Sequence, residues 1–410
     1  MGRGLTVAGA VFAFTLPLEA TWVHPQIGSL ARVAGGLLVL AAGVVALRRE
    51  RVIFPVSVAV MAAFVVWMGL TQFWAYVAPG YLGRWGTLLQ MWILVICVIQ
   101  LEAQRSVLAA VAAGYLAGSV VAAGAMWVTW TLGGAQELGV RLGVAGYDPN
   151  ETAVALVLAI PIAAWFAIER GSTVIRINSV FAVAVLTGAC VLTGSRAGMA
   201  GLIGTWSFLA VAVSLTRGWG RVTGVLVAGA TAALVAVAVR SAEAMLHVER
   251  MATLGQEVTA GTWNHRTTLW QEGMRLIMER PWVGWGYGAA WTDPALRGWS
   301  MHNALLEVVV GGGVIAGVMF SAVVAMMLLP SWPRNGMHRA LWLAACCPLV
   351  VAAMSLSYDN RKQLWLALAL SVVAARFGRS SRVREGRASL REATILQAIR
   401  HPVPSTTRLP

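Results

Sequence analysis

Twelve stretches of the chain are long and apolar enough to cross a bilayer, and they leave little sequence for any other architecture. A hydrocarbon core about 30 Å thick takes roughly 20 helical residues. Runs of about that length, bounded by charge or turn residues, cover 5–18, 29–47, 52–70, 86–101, 107–128, 150–168, 179–194, 198–215, 222–239, 303–329, 340–358 and 363–376, the first, seventh and twelfth being short. Backbone N–H and C=O groups find no water in lipid and must pair within their own segment, so each run reads as a helix. The expected fold is therefore an all-α polytopic membrane protein with about 12 transmembrane helices. A water-soluble globule is excluded, because 58% of the residues are apolar, 12% are charged and the mean hydropathy is +0.72.

The charge balance gives an orientation. Thirty-one basic residues, of which Lys362 is the single lysine, stand against 17 acidic ones for a net charge of +14. Arg48, Arg49 and Arg51, then Arg105, then Arg170 and Arg176, then Arg217 and Arg221, then Arg334 and Arg339 fall in alternate loops, which the positive-inside rule places in the cytoplasm with both termini. Residues 1–239 then hold spans one to nine, 240–301 form a large outer segment, and 302–376 hold spans ten to twelve. The basic stretch 377–410 reads as a disordered cytoplasmic tail against anionic lipid. Such scattered arginines lack the continuous charged face that nucleic acid requires. Leu5 to Leu18 could pass for a signal peptide, but Glu19-Ala20-Thr21-Trp22 is a poor cleavage site, so a retained span is expected. Cys97, Cys190, Cys346 and Cys347 lie in apolar runs without a CxxC pair or a histidine at ligand spacing, and no metal or cofactor is expected.

Irregular sequence collects on the opposite, outer face: Thr71 to Trp85, Thr129 to Asn150, and Arg240 to Met301. In the last, Ser241 to Leu254 and Arg266 to Met278 have helical apolar spacing, broken by the turn residues of Pro281-Trp282-Val283-Gly284-Trp285-Gly286-Tyr287-Gly288. A helical cap on the outer membrane surface is expected, with Trp263, Trp270, Trp282, Trp285, Tyr287, Trp291 and Trp299 at the interface.

Ionisable groups are nearly missing from mid-span. Arg32 and Glu307 fall near span ends, which argues against an ion-coupled transporter and for chemistry at the outer surface. Three residues there have the right character. His302 opens the tenth span, where the positive helix end favours a neutral imidazole able to accept a proton. Arg196 lies in the turn between spans seven and eight, and Arg266 follows Asn264-His265 in the long segment. Guanidinium groups hold diphosphate oxygens in a forked geometry, so a base with two arginines suits displacement of a diphosphate leaving group.

The surrounding motifs carry a family resemblance. His302-Asn303-Ala304-Leu305-Leu306, with Gly313 and Gly317 beyond, resembles the His-Asn-x-x-Leu opening of a late span in the O-antigen ligase and polymerase superfamily. Leu192-Thr193-Gly194-Ser195-Arg196-Ala197-Gly198 is similar to its Ser-Arg-(Ala/Gly)-Gly turn, and Tyr147-Asp148-Pro149-Asn150-Glu151 to its Asp-Pro-Asn span opening. Arg266 through Trp270 to Pro281, Gly284, Gly286 and Gly288 resembles the run before the histidine. Order and separation match across 147–317.

The resemblance implies a metal-independent, inverting glycosyltransferase of the bacterial inner membrane. It would move a glycan from undecaprenyl diphosphate to a glycan or lipid acceptor on the periplasmic or extracellular side, as in lipopolysaccharide or other surface-polysaccharide synthesis. His302 would be the general base, and Arg196 and Arg266 would bind the diphosphate. Arg84 is a further diphosphate candidate or an interfacial anchor, and Asn303, Glu307, His265 and Asn150 are supporting candidates. Ligase activity is the first expectation; a polymerase of the same superfamily and a non-catalytic transporter of lipid-linked oligosaccharides are the alternatives. Two stretches also have structural readings. Asp148-Pro149-Asn150-Glu151 fits a helix cap with Pro at the first position and Glu three after the cap, and Gly311-Gly312-Gly313 could admit a neighbouring helix. Related proteins often carry an acid or amide at the position of Gly311, which leaves open a substituting role for Glu307, four residues earlier.

Overall fold

The computed structural model describes residues 2–21, 23–48, 52–75, 81–132, 142–144, 148–169, 172–215, 266–288, 300–333 and 335–377. Its helices are α1 (Gly2–Thr15), α2 (Leu30–Arg48), α3 (Val56–Leu70), α4 (Tyr81–Ile99), α5 (Arg105–Thr131), α6 (Pro149–Glu169), α7 (Thr173–Leu192), α8 (Arg196–Ser214), α9 (Arg266–Glu279), α10 (Ala304–Leu328), α11 (Gly336–Ser355) and α12 (362–377). Strand pairing among the described residues is confined to a hairpin joining Val23–His24 to Gly28–Ser29. The molecule is an all-α polytopic membrane protein. Among the described residues, eight helices (α2, α3, α5, α6, α7, α8, α10 and α11) are long and apolar enough to cross a bilayer, and α1 and α4 are shorter apolar helices. Eleven of the twelve expected stretches coincide with helices. The ninth, 222–239, lies outside the described residues, as do 240–265, 289–299 and the tail 378–410.

Lipid is as apolar as leucine, so helices in a bilayer associate through close packing more than through burial of oily surface. Accordingly, α1 meets α5 at Gly114 and Gly118, where an added Cβ would fall 2.2 and 2.0 Å from the carbonyl oxygens of Ala10 and Phe14. The central element is α6, packed by α5, α7, α8 and α11 and buried almost continuously from Thr152 to Ala167. By contrast α10 packs on α3, with α9 lying against it. Arg48, Arg105, Arg176, Arg339 and Arg376 gather at one end of the bundle, where Arg105 and His338 both meet Glu169. The loops bearing the candidate residues gather at the other, hereafter the site end.

A break in α10 shapes the site end. Gly313 has φ 71° and ψ −176°, which interrupts the helical hydrogen-bond ladder and frees backbone groups on both sides of it. The Pro281–Gly288 loop takes them up. Trp285 N–H donates to Val310 O (2.9 Å), Gly286 N–H to Gly311 O (2.8 Å), and Val314 N–H to Pro281 O (2.8 Å). The indole of Trp67 donates to Gly312 O at 2.8 Å. The glycine triplet thus admits a neighbouring helix, as expected, with Met68 and Trp67 of α3 against Gly312, and it also receives a loop: glycine alone adopts the kink, and the loop supplies the N–H donors that the freed carbonyls of Val310 and Gly311 need. Ala at 313 would add backbone strain of about 1–3 kcal/mol, and its Cβ would lie 2.0 Å from Trp282 O. We expect Gly313→Ala to lower the unfolding midpoint by several degrees in a thermal melt of the detergent-solubilised protein.

Candidate functional site

His302 sits immediately before α10 with φ 47°, the one non-glycine in the left-handed region among the described residues. Such a backbone costs about 1–3 kcal/mol and persists only where its surroundings enforce it. Here the enforcement comes from both neighbours. Met301, fully buried, donates its N–H to Glu307 Oε2 (3.0 Å) and accepts at its carbonyl from the Trp270 indole (3.0 Å). On the other side, the Asn303 side chain caps α10 by accepting from Leu306 N–H at 3.0 Å. The imidazole therefore projects from a peptide pinned on both sides.

Glu307 is 2% exposed, and both of its oxygens are occupied. Oε1 receives Arg84 Nη1 at 3.2 Å, and Oε2 receives Ser357 Oγ at 3.2 Å as well as Met301 N–H. Arg84 also lies over the Tyr287 ring, 5.4 Å from its centroid, and the Tyr287 hydroxyl donates to Asp359 Oδ2 at 2.7 Å. Tyr287 is thus an internal residue, 1% exposed, where an interfacial aromatic had been expected. The reason is its partner: a buried carboxylate gives the phenol a better acceptor than the headgroup region. Trp282, by contrast, is 66% exposed and lies on the molecular surface. Burial pushes the carboxyl of Asp359 above its ordinary value, with Arg84 opposing.

The second half of the site lies at the start of α6 and α8. Asp148 caps α6 by accepting Asn150 N–H at 2.7 Å, ahead of Pro149 as the first helical residue, so the cap reading holds. Glu151 does not return to the cap; it pairs with Arg361. Asn150 Oδ1 accepts from Ser195 Oγ (2.7 Å), and Ser195 Oγ in turn accepts from Gly198 N–H (3.0 Å) as the cap of α8. Arg196, first residue of α8, is thereby held against the start of α6.

Electrostatics connect the two halves. Burial and the Arg266 guanidinium hold the His302 imidazole below its ordinary value of 6.5, while Asp148 and Glu307 pull it back up. Arg266 and Asp148 are thus both within electrostatic reach of His302, and Asp148 shares its turn with the Asn150–Ser195–Arg196 chain of contacts. His265 and the aromatics Trp263, Trp291 and Trp299 lie outside the described residues. Among the described residues no three His, Cys, Asp or Glu side chains gather as a metal-binding group. Asp359 and Arg361 had not been singled out from the sequence. Their signal was the polar run Tyr358-Asp359-Asn360-Arg361-Lys362 between two spans, on the same face as Glu307.

A base must be neutral to act, and lowering the imidazole pKa enlarges the neutral fraction near pH 7. Activity depending on His302 should therefore rise with pH along an acid limb whose midpoint lies below 6.5. A kcat/KM profile with its midpoint above 6.5 would contradict that assignment.

Residues 181–321 match the family model described as O-Antigen ligase. The chain is also 27% identical over 187 residues to an O-antigen ligase of Pseudomonas aeruginosa, covering 43% of this chain and 40% of that relative. The chain thus spans well under two thirds of the curated relative it matches. Both matches support the O-antigen ligase superfamily, the resemblance carried by the four motifs.

Proposed function

We propose that this member of the O-antigen ligase superfamily transfers a glycan from a polyprenyl diphosphate, undecaprenyl diphosphate in bacteria, to an acceptor hydroxyl at the outer surface of the inner membrane. The observation that carries the reading is His302 itself: a strained, pinned residue with a depressed pKa beside Arg266, at the end of the bundle that also holds Arg196. In the reaction, the acceptor O–H gives its proton to the neutral imidazole as its oxygen attacks the anomeric carbon. The bond from that carbon to the diphosphate oxygen breaks, and the electron pair leaves on the diphosphate. Attack opposite the leaving group inverts the anomeric centre. Arg196 and Arg266 stabilise the charge growing on the diphosphate, as fixed donors do at developing oxyanions, and these guanidiniums take the place a divalent cation would otherwise fill. Arg84, engaged by Glu307, supports the site from behind and remains a further diphosphate contact.

Ligase is the preferred reaction because the curated relative is named as one. The purified protein in nanodiscs, given a polyprenyl-diphosphate glycan and candidate acceptors in EDTA, tests this by mass spectrometry. Glycan on a separate acceptor supports ligase activity, a longer glycan on the lipid supports polymerase, and lipid translocation without bond cleavage supports a transporter.

A further inference from the structure

The segment between α11 and α12 plays no part in the chemistry above, yet it reaches both halves of the site end. Ser357 donates to Glu307 on α10, beside His302. Arg361 pairs with Glu151 on the first turn of α6, beside Asp148 and Asn150. Between them Asp359 receives the Tyr287 hydroxyl, and Lys362 next in line pairs with Glu19. The segment is itself stiff: Tyr358 and Asp359 are buried, and the Trp365 indole donates to Asp359 O at 2.7 Å. Helices α6 and α10 belong to different packing groups, α6 with α5, α7 and α8, and α10 with α3 and α9; α11 touches both. The loop leaving α11 is therefore placed to set their relative position at the site end.

We infer that residues 356–363 act as a tether fixing the spacing between His302 and Arg196, with Arg361 and Glu151 as positioning residues. The inference rests on the proposed roles of His302 and Arg196. The Arg361 side chain is 42% exposed and that of Glu151 17%, and partly exposed ion pairs add little to stability. Loss of the pair should then appear as misplacement, not unfolding, and transfer chemistry is sensitive to displacements of about 1 Å.

The test uses the full chain in nanodiscs, as wild type, Glu151→Arg, Arg361→Glu and the double reversal. Each single reversal is expected to lower kcat at least about tenfold, with donor KM within about threefold and the melting midpoint little changed, and the double reversal to recover most of the loss. A structural role alone would lower the melting midpoint and leave kcat per folded molecule intact. Spin labels at the exposed positions Ala200→Cys and Leu305→Cys, in a background with the four native cysteines replaced, read the spacing without any substrate. The distance distribution should be narrow in the otherwise unsubstituted chain and in the double reversal, and broadened or displaced in either single. Unchanged distances in the single reversals, or unchanged kcat, overturn the inference. If the wild type transfers no glycan while the distances respond as stated, the tether stands and the transferase reading fails.

Discussion

Replacing His302 by Ala should lower glycan transfer by about 10²–10⁴-fold, the usual contribution of a positioned general base, while donor affinity stays within about threefold. The base acts on the acceptor, so its removal touches a proton transfer that occurs only in the transition state. The left-handed backbone complicates a single substitution, because Ala at φ 47° is strained for reasons unrelated to catalysis. Asn tolerates that conformation and carries no comparable base. His302→Asn is therefore expected to fold as the wild type does and to lose transfer as fully as His302→Ala. Steady-state transfer and donor binding measured on the same preparations check both. Activity in the Asn variant approaching wild type would assign His302 a purely conformational role.

The second large effect concerns the guanidiniums. Arg196→Ala and Arg266→Ala should each lower kcat by about 10²–10³-fold, as loss of one fixed donor to a developing anion does. Lysine should recover little, since a point charge on a flexible stem cannot reproduce two parallel donors to adjacent oxygens. The two sites should also differ. Arg266 helps to depress the His302 pKa, so Arg266→Gln should move the acid limb of residual activity upward, toward the ordinary histidine value. Arg266 acts directly on His302, so Arg266→Gln should move the limb further than Arg196→Gln does. Residual activity followed from pH 5 to 8 gives the comparison.

The bundle was legible in the chain because the bilayer leaves so few ways to satisfy a backbone. Twenty apolar residues between charges can hardly be other than a spanning helix. The cap at Asp148-Pro149 was legible for a similar local reason, since it acts on the helix that follows within three residues; the cap at Asn303 is equally local, but from the sequence Asn303 reads only as a supporting site residue. Contacts distant along the chain were harder to read. Arg84 and Glu307 are 223 residues apart and Tyr287 and Asp359 are 72 apart, and neither spacing leaves a periodic mark. Tyr287 resembled the interfacial aromatics around it because composition there is uniform; only its acceptor, Asp359, distinguishes it. From the sequence Glu307 reads as a supporting candidate, with a substituting role for an acid or amide at position 311 left open; its bonds to Arg84, Ser357 and Met301 N–H make it an anchor of the peptide before His302. Gly311 is compatible with that assignment, since its carbonyl binds Gly286 N–H and a Cβ there would lie 3.2 Å from the Tyr287 Cα.

The most direct test is a cryo-EM structure of the protein in nanodiscs with a non-cleavable polyprenyl-diphosphate glycan bound. The diphosphate oxygens should lie within about 3 Å of guanidinium nitrogens of both Arg196 and Arg266, the length of a charge-assisted hydrogen bond, with the His302 imidazole facing the anomeric carbon from the side opposite the diphosphate. A diphosphate bound at the arginine-rich end by Arg48 and Arg105, or seated at the site end out of reach of both Arg196 and Arg266, would contradict the transferase reading.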